Sequence, residues 1–495
     1  MNRVALSWLQ SQSASAHLAS DSRRVQPGDI FLAYPGDEND GRRFIADAIE
    51  RGAVAVMFDD HDFAVVPDCK VPYYALPQLK QQAGELAAAY YDYPSQAMTV
   101  LAVTGTNGKT TCAWWLAHAL SHLGQHSALI GTLGSGFVDQ LTPTGYTTPD
   151  AVLLQRQLHE LRHQGAQALA IEASSIGLDQ GRLNGLEIDV AIFTNLSRDH
   201  LDYHGSMPAY EAAKAALFVW PGLKGVSINR DDEAGQRLLA RVQGLQHIIS
   251  YSMLGDEQAQ LRATQVQTQA NGMSFEVHFS HQSRVVQLGV IGEYNVANWL
   301  ACCGGLLAAG FEFNAVVNAL AQVRAADGRL QSLGGQGEPL IVVDYAHTPD
   351  ALEKVLKALK AVAQARGGEL ICVVGCGGNR DPGKRPQMAQ VSVEYATYSI
   401  FTSDNPRYED PQQILQQMLA GVASTRNVQT VPDRRQAIYM AVRQAREQDV
   451  ILLAGKGHER SQEVAGEKQY FYDPDEAQQA LLLRRQAEET GRITC

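Results

Sequence analysis

Along much of the chain, compact apolar runs that close in polar or glycine-rich tips alternate with stretches whose apolar residues recur at helical spacing. From Met98 the runs are VLAVTG, SALIGTLG, ALAIEAS and DVAIFTN; after Gly328 the rhythm restarts with LIVVDYAH, LICVVGCGG, YSIFTSDNP and VILLAGKGHE. Strands alternating with helices in this way predict parallel sheets, and apolar runs without polar alternation predict strands covered on both faces. Residues 1 to about 92 predict a smaller α/β unit, with strands in DIFLAY and AVAVMF, helices in RFIADAIERG and LKQQAGELAAAYY, and a turn at YDYPSQ. Between about 250 and 298, HIISYSM, GMSFEVHF and VVQLGVIG read as short alternating strands that extend the central region, before helical character resumes at NVANWLACCGGLLAAG. The predicted fold is α/β with three domains: a small N-terminal one at 1–92, a central parallel-sheet domain at 93–328 and a Rossmann-like domain at 329–495. A chain of 495 residues is too long for one core, and at roughly 100–200 residues per domain it should divide into about three.

Composition narrows the partners rather than the fold. Hydrophobic residues make up 45% and charged residues 19%, which leaves ample apolar surface to bury. The net charge of -12 disfavours nucleic acid and anionic membrane as partners, because both select a basic surface. An anionic small substrate remains compatible, since a few cations and backbone amides in a cleft reverse the local field. Seven cysteines, Cys69, Cys112, Cys302, Cys303, Cys372, Cys376 and Cys495, show no zinc-type pair spacing and read as reduced thiols. No stretch approaches the roughly 20 apolar residues of a membrane span, and the N-terminus lacks the apolar core of a secretion signal, so the expected location is the cytoplasm.

Chemistry is expected where strands end, because ligands of open parallel sheets bind outside the carboxyl ends of their strands. In VTGTNGKTT an apolar strand runs into Gly105, Thr106, Asn107, Gly108, Lys109, Thr110 and Thr111 and, after Cys112, the helical AWWLAHAL. This is the makeup of a phosphate cradle. Glycines let backbone amides approach a polyphosphate, the helix N-terminus presents its positive dipole end, Lys109 neutralises β and γ oxygens, and Thr110 can ligate Mg2+. The glycines stand three rather than five apart, a shortened form of the usual loop; the strand and helix on either side argue against a coincidental turn. Glu172 in AIEASS and His200 in TNLSRDHLDYHG also follow apolar strands, and both are expected in the same crevice, where carboxylate and imidazole could hold a second metal ion. Singly, Glu172 reads as well as a helix cap and His200 as a structural histidine; their place at successive strand ends favours the site.

Together these residues resemble the Mur ligase family, in which TGTNGKTT opens the central ATPase domain and TNLSRDHLDYHG follows at a similar remove. GEYNVAN at 292–298, DGRL at 327–330, DYAHTPDAL at 344–352, GCGGNRDPGKRP at 375–386, DNPR at 404–407 and AGKGHE at 454–459 match in the same order, so the resemblance covers essentially the whole chain. It implies a UDP-sugar-binding N-terminal domain, a central ATP-binding P-loop domain and a C-terminal amino-acid-binding domain. It also implies an ATP- and Mg2+-dependent ligase of cell-wall precursor synthesis. There, ATP phosphorylates the D-Glu γ-carboxylate of UDP-MurNAc-L-Ala-D-Glu, and the amine of an incoming amino acid then displaces phosphate.

The resemblance implies that Lys109, Glu172, His200 and Lys214 are catalytic and that Thr110, Glu172, His200 and Lys214 hold metal. Lys214, in YEAAK, matches a lysine that the family carbamylates. Asn298, Arg329 and Asp344 are implied to serve the nucleotide beside the loop. Arg380, Asp404, Asn405, Pro406, Arg407, Gly455 and Glu459 are implied to take the amino acid. DNPR, where lysine-adding relatives carry a DNPA-like sequence, points to meso-diaminopimelate, whose extra carboxylate a guanidinium fork binds bidentately. Ser22 and the DGRRF stretch at 40–44 are implied at the uridine end of the UDP-sugar dipeptide, and Thr147, Thr148, Ser174, Gln180 and Arg182 nearer its peptide. Tyr146 and Ile176 depart from the polar residues frequent at these places in the family.

The expected partners are these small molecules alone, with no nucleic acid, no membrane insertion and a monomeric chain. Three readings compete: a lysine-adding ligase of the same family, a folylpolyglutamate synthase, which shares the shortened loop, and a nucleotide-gated binding protein without ligase activity. DNPR and DSRRVQPGD at 21–29 argue against the first two, and the presence of Lys214 and His200 against the third.

Overall fold

The computed structural model describes residues 2–13, 16–37, 39–63, 70–242, 244–270 and 272–489. Cys112, Cys302, Cys303, Cys372 and Cys376 are free and buried, while Cys69 and Cys495 lie outside the described residues. The chain forms two compact units: one runs to Arg262 and takes in Asn298–Leu320, the other comprises Ala263–Ala297 and everything from Ala321 onward.

The first unit carries two sheets. The smaller is parallel throughout, with β1 (Leu18–Ala19), β2 (Ile30–Ala33), β3 (Ala55–Phe58) and β4 (Tyr73–Ala75) side by side in chain order. DIFLAY and AVAVMF supply its two buried middle strands; the outer two are too short to show a period. Helix Leu79–Tyr90 covers one face through Leu79, Ala83, Leu86 and Ala87.

The larger sheet contains β5 (Thr99–Thr104), β6 (Ser127–Gly131), β7 (Gly134–Phe137), β8 (Gln140–Thr142), β9 (Ala168–Glu172), β10 (Val190–Phe193), β11 (Gly225–Asn229) and β12 (His247–Ser252). Their order is β12-β11-β10-β5-β9-β6-β7-β8, parallel from β12 to β6. SALIGTLG, expected as one strand, instead splits between parallel β6 and the antiparallel β7, which turns back at Gly131–Gly134. HIISYS, expected in the extension, is β12, a parallel neighbour of β11, because a short run carries no information on pairing direction. From β5 the chain crosses to β6 and β9 on one side and later to β10 and β11 on the other. Crossovers that leave in opposite directions open a crevice at the carboxyl end of β5, and the residues that follow are Gly105–Thr111.

β13 (Leu261–Gln269) starts beside β12 at Leu261 and Arg262. It was not anticipated, because RATQVQTQ is polar enough to read as loop. In the second unit, β14 (Gly272–Phe279) and β15 (Gln282–Leu288) form an antiparallel hairpin. The main sheet here comprises β16 (Gln331–Gly334), β17 (Leu340–Asp344), β18 (Leu370–Cys376), β19 (Tyr398–Ser403), β20 (Val428–Thr430) and β21 (Val450–Ala454), in the order β16-β17-β21-β18-β19-β20. All pairings are parallel except that of β16. The four apolar runs are its central strands, with cores on both faces. Helix Pro349–Arg366 carries local signals at both ends: Thr348 caps Ala351 N, Pro349 takes the first position, and Gly367 ends it at φ 71°. A hairpin of β22 (Ser461–Val464) and β23 (Glu467–Tyr470) was missed, because its second strand is exposed and polar throughout. Among the described residues no helix is long and apolar enough to cross a membrane.

Candidate functional site

Two glycines give the loop after β5 its room. A Cβ on Gly105 (φ 150°) would collide with Thr194 Oγ1, and one on Gly108 (φ 88°) with Asn298 Oδ1. The tip after β10 clamps the loop from the other side: Thr194 Oγ1 donates to the Asn107 carbonyl (2.6 Å), Asn107 N to Asn195 Oδ1 (3.0 Å) and Thr106 N to the Asn195 carbonyl (2.8 Å). Helix Lys109–His122 starts at Gly108 without a side-chain cap, so no capping side chain competes with an anion at its N-terminus.

Two amines converge on one oxygen. Lys109 Nζ donates to the carbonyls of Gly105 and Thr106 (2.9 Å each), and Lys214 Nζ donates to the same Gly105 carbonyl (2.8 Å). Lys214 is only 2% exposed, and its Nζ lies 4.5 Å from the Tyr210 ring, whose hydroxyl meets Thr106 Oγ1 at 3.1 Å. Burial first, and then the charge of Lys109, push the Lys214 ammonium down to about 6, so that a neutral amine prevails at neutral pH. His200, at φ 51°, lies one remove away: its ring is 6.1 Å from that of Tyr210 and 3.6 Å from Asp199 Oδ2. The imidazole packed further in is His204, with Nε2 3.0 Å from Ser175 Oγ; the sequence reading did not single it out.

Glu172 ends β9 and joins the loop to a second group of residues. Its Oε2 accepts from Thr110 Oγ1 (3.0 Å) and Thr132 Oγ1 (3.3 Å), its Oε1 from Thr132 N (2.7 Å), and its carbonyl from Thr148 Oγ1 (2.8 Å). Thr132 was missed, although it stands at the polar tip of a predicted strand. Thr147 Oγ1 meets Thr132 Oγ1 at 3.0 Å, Ser174 Oγ meets Thr148 Oγ1 at 2.9 Å, and Arg182 donates to the Thr148 carbonyl (2.9 Å) and Gln180 Oε1 (2.8 Å). Thr147, Thr148, Ser174, Gln180 and Arg182 thus form one network with Glu172. Among the described residues no three His, Cys, Asp or Glu side chains gather as a metal cluster. A hydroxyl beside a carboxylate at a helix N-terminus is nonetheless an all-oxygen donor set of the kind Mg2+ takes. Thr111 lies half-buried in the same first turn.

Ser22 is buried in the small sheet's layer, where its hydrogen bond holds the Asp47 carboxyl below the usual range. Within DGRRF, Arg42 is committed to the fold: it pairs with Asp40 and donates to the carbonyls of Asp59 and His61. Tyr146 has a local partner, the Arg24 guanidinium 5.6 Å over its ring.

The second unit gathers another set at its strand ends. Asp344 accepts from Leu330 N and Ala346 N (2.9 Å each), while burial raises its carboxyl above the usual range. Arg329 lies 5.1 Å over the Tyr345 ring, its Nε buried without a hydrogen-bond partner. Asn405 Nδ2 donates to Glu459 Oε2 (2.8 Å), and Gly455, at φ 113°, leaves room for Asp404. Arg407 follows Pro406 at φ 52° and donates to the Gly378 carbonyl (2.7 Å); Arg380 is exposed, close by the Arg407 guanidinium across Gly377. Lys456, absent from the predicted site, is fully buried and donates to Asn405 Oδ1 (3.3 Å), Glu459 Oε2 (3.2 Å) and the Ser461 carbonyl (2.7 Å).

A glycine-rich loop at the switch point of a parallel sheet, backed by a carboxylate and a buried lysine, defines an α/β protein with an arrangement suited to an anionic ligand. Family models agree in detail: "Mur ligase family, catalytic domain" matches residues 16–91, "Mur ligase middle domain" 103–306 and "Mur ligase, glutamate ligase domain" 328–457. The chain is 52% identical over 491 residues to the UDP-N-acetylmuramoyl-L-alanyl-D-glutamate--2,6-diaminopimelate ligase of Janthinobacterium sp. (strain Marseille), covering 97% of this chain and 96% of that one. To the ligase of the same name from Ralstonia nicotianae it is 47% identical, over the same shares. A solved structure of a UDP-N-acetylmuramoyl-L-alanyl-D-glutamate--2,6-diaminopimelate ligase superposes with a TM-score of 0.71 at 38% identity, covering 95% of both chains. The chain belongs to the Mur ligase family.

Proposed function

We infer that the chain is an ATP-dependent carbon–nitrogen ligase of peptidoglycan precursor synthesis, which adds meso-diaminopimelate to the D-Glu γ-carboxylate of UDP-MurNAc-L-Ala-D-Glu through an acyl phosphate. The observation that carries this reading is the Gly105–Thr111 loop with Glu172 and the buried amine of Lys214 around it. In this reading the loop amides and the helix N-terminus hold the ATP phosphates, and Lys109 exchanges its loop carbonyls for β and γ oxygens. Asn298 under Gly108, with Arg329 and Asp344, serves the rest of the nucleotide.

Thr110 and Glu172 would hold Mg2+, and Lys214 as its carbamate, with His200, would hold a second ion; bound there, the metal supplies charge neutralisation between the carboxylate and the transferring phosphoryl group. A neutral, buried amine supports the carbamate assignment, since only the unprotonated amine adds to CO2. The γ-carboxylate oxygen attacks the γ-phosphorus and ADP leaves. The substrate amine then attacks the acyl carbon, loses a proton, and phosphate departs with the C–O bond electrons. Phosphorylation is needed because a carboxylate is a poor electrophile without a leaving group. Thr147, Thr148, Ser174, Gln180 and Arg182 orient the dipeptide beside Glu172, and Ser22 belongs to the uridine end. Arg380, Asp404, Asn405, Pro406, Arg407, Gly455 and Glu459 take the amino acid, with Arg407 reading the second carboxylate and Glu459 an ammonium group. The location proposed is the cytoplasm, in keeping with an ATP substrate and buried free thiols.

The test is phosphate release from ATP and Mg2+ with UDP-MurNAc-L-Ala-D-Glu, comparing meso-diaminopimelate, L-lysine and no amino acid. Release that depends on diaminopimelate is expected. Preference for lysine would overturn the specificity, and no release at all would return the chain to a nucleotide-gated binding protein.

A further inference from the structure

The β22–β23 hairpin is sewn to the loop that carries Arg407. Gln462 Nε2 donates to the Asp404 carbonyl (2.6 Å), Glu463 N to Asn405 Oδ1 (3.0 Å), Arg407 N to the Glu463 carbonyl (3.0 Å) and Ala465 N to the Arg407 carbonyl (2.6 Å). Lys456 anchors the same strand through the Ser461 carbonyl (2.7 Å). These bonds hold Arg407 at φ 52°, a left-handed conformation that a non-glycine residue keeps only when its surroundings impose it. The hairpin therefore sets the point and direction at which the side chain leaves the backbone.

The hairpin also brings a charge. Glu463 Oε2 lies 3.7 Å from Arg407 Nε, close enough for attraction but too far for a hydrogen bond, and both side chains are 24% exposed. The fork of Arg407 spends NH1 on the Gly378 carbonyl, and beside its Nε stands a carboxylate that does not engage it fully. This geometry suits a counter-ion that another carboxylate can displace.

We propose that Glu463 is a positioning residue that sets how strongly Arg407 selects an amino acid carrying a second carboxylate, by compensating the guanidinium whenever that carboxylate is absent. The proposal rests on the amino-acid site described under the proposed function and deepens it. Glu463 partly occupies the Arg407 guanidinium that an incoming carboxylate must take over, so it weakens binding of the dicarboxylate. A lysine side chain enters no such competition and leaves the Arg407–Glu463 pair intact. Glu463 thus narrows the preference that Arg407 alone would impose.

The test is steady-state kinetics on the full chain for wild type, Glu463→Gln, Glu463→Asp, Arg407→Ala and the Glu463→Gln/Arg407→Ala double variant, with meso-diaminopimelate and L-lysine as amino acids. For Glu463→Gln the KM for diaminopimelate should fall roughly three- to fivefold, the scale of a partly exposed ion pair, while the KM values for lysine and ATP do not fall. Glu463→Asp should stay near wild type, and Glu463→Gln should have no effect once Arg407 is Ala. An unchanged or raised diaminopimelate KM, or the same drop without Arg407, would overturn the role of Glu463 while leaving the site standing. If Arg407→Ala itself keeps the preference for diaminopimelate, the amino-acid site is misassigned and the proposal falls with it.

Discussion

Replacing Lys214 with Met tests whether its amine is neutral in the folded protein. Lys214→Met keeps the length and apolar stem of the side chain while removing the charge. In the unfolded chain this amine titrates near 10.5; in the folded chain it is pushed down to about 6. Between those values the unfolded state holds a proton that the native state lacks, so wild-type stability should rise with pH across this window, by at most about 1.4 kcal/mol per pH unit from this residue. Below about pH 6 both states are protonated and the slope vanishes. At pH 7.5, keeping the buried amine neutral costs about 4 kcal/mol. Met loses the hydrogen bond to the Gly105 carbonyl, worth about 1 kcal/mol, so the variant should be more stable by about 3 kcal/mol. The assay is urea unfolding of both proteins at pH 6.5, 7.5 and 8.5 in buffer freed of CO2, so that no carbamate forms. The advantage of Lys214→Met should shrink as pH rises, while its ligase activity is largely lost. A stability difference independent of pH, or a variant less stable at every pH, would refute the reasoning.

The hydroxyl of Thr110 beside Glu172 predicts that Thr110→Val raises the Mg2+ concentration for half-maximal phosphate release about tenfold, whereas Thr110→Ser stays near wild type; equal Mg2+ titrations would remove Thr110 from the ion's ligands. Gly105→Ala places a methyl group against Thr194 Oγ1 at a backbone angle that disfavours any side chain, so ATP-dependent phosphate release should disappear and the melting temperature should drop. Asp473→Ala leaves Arg434 buried without its counter-charge, both side chains being fully enclosed and 2.6 Å apart; denaturant unfolding should show a loss of about 3–5 kcal/mol.

The apolar runs were sufficient to find β5, β9, β10, β17, β18, β19 and β21, because a strand covered on both faces must be apolar along its whole length; β11 and β20, whose runs are broken by Gly, Ser, Gln or Thr, were not among them. The form of the glycine-rich loop was equally legible: Gly105 and Gly108 stand where no Cβ fits, and Lys109 opens the helix, both local features of the chain. The amino-acid sequence, through its motifs, also determined family membership. What escaped it depends on packing across long sequence separations. The direction of β7 and β12, the polar strand β13 and the β22–β23 hairpin are decided by which neighbours pair with them, and a short or polar run does not encode that choice. Thr132 became a partner of Glu172, and Lys456 the buried tie between Asn405 and Glu459, only once distant strand ends were brought together. The same holds for charge: in the sequence Lys214 is one more helix lysine. Burial, and then the charge of Lys109 beside it, push its ammonium well below the ordinary lysine range, because desolvation and like charge act through space rather than along the chain.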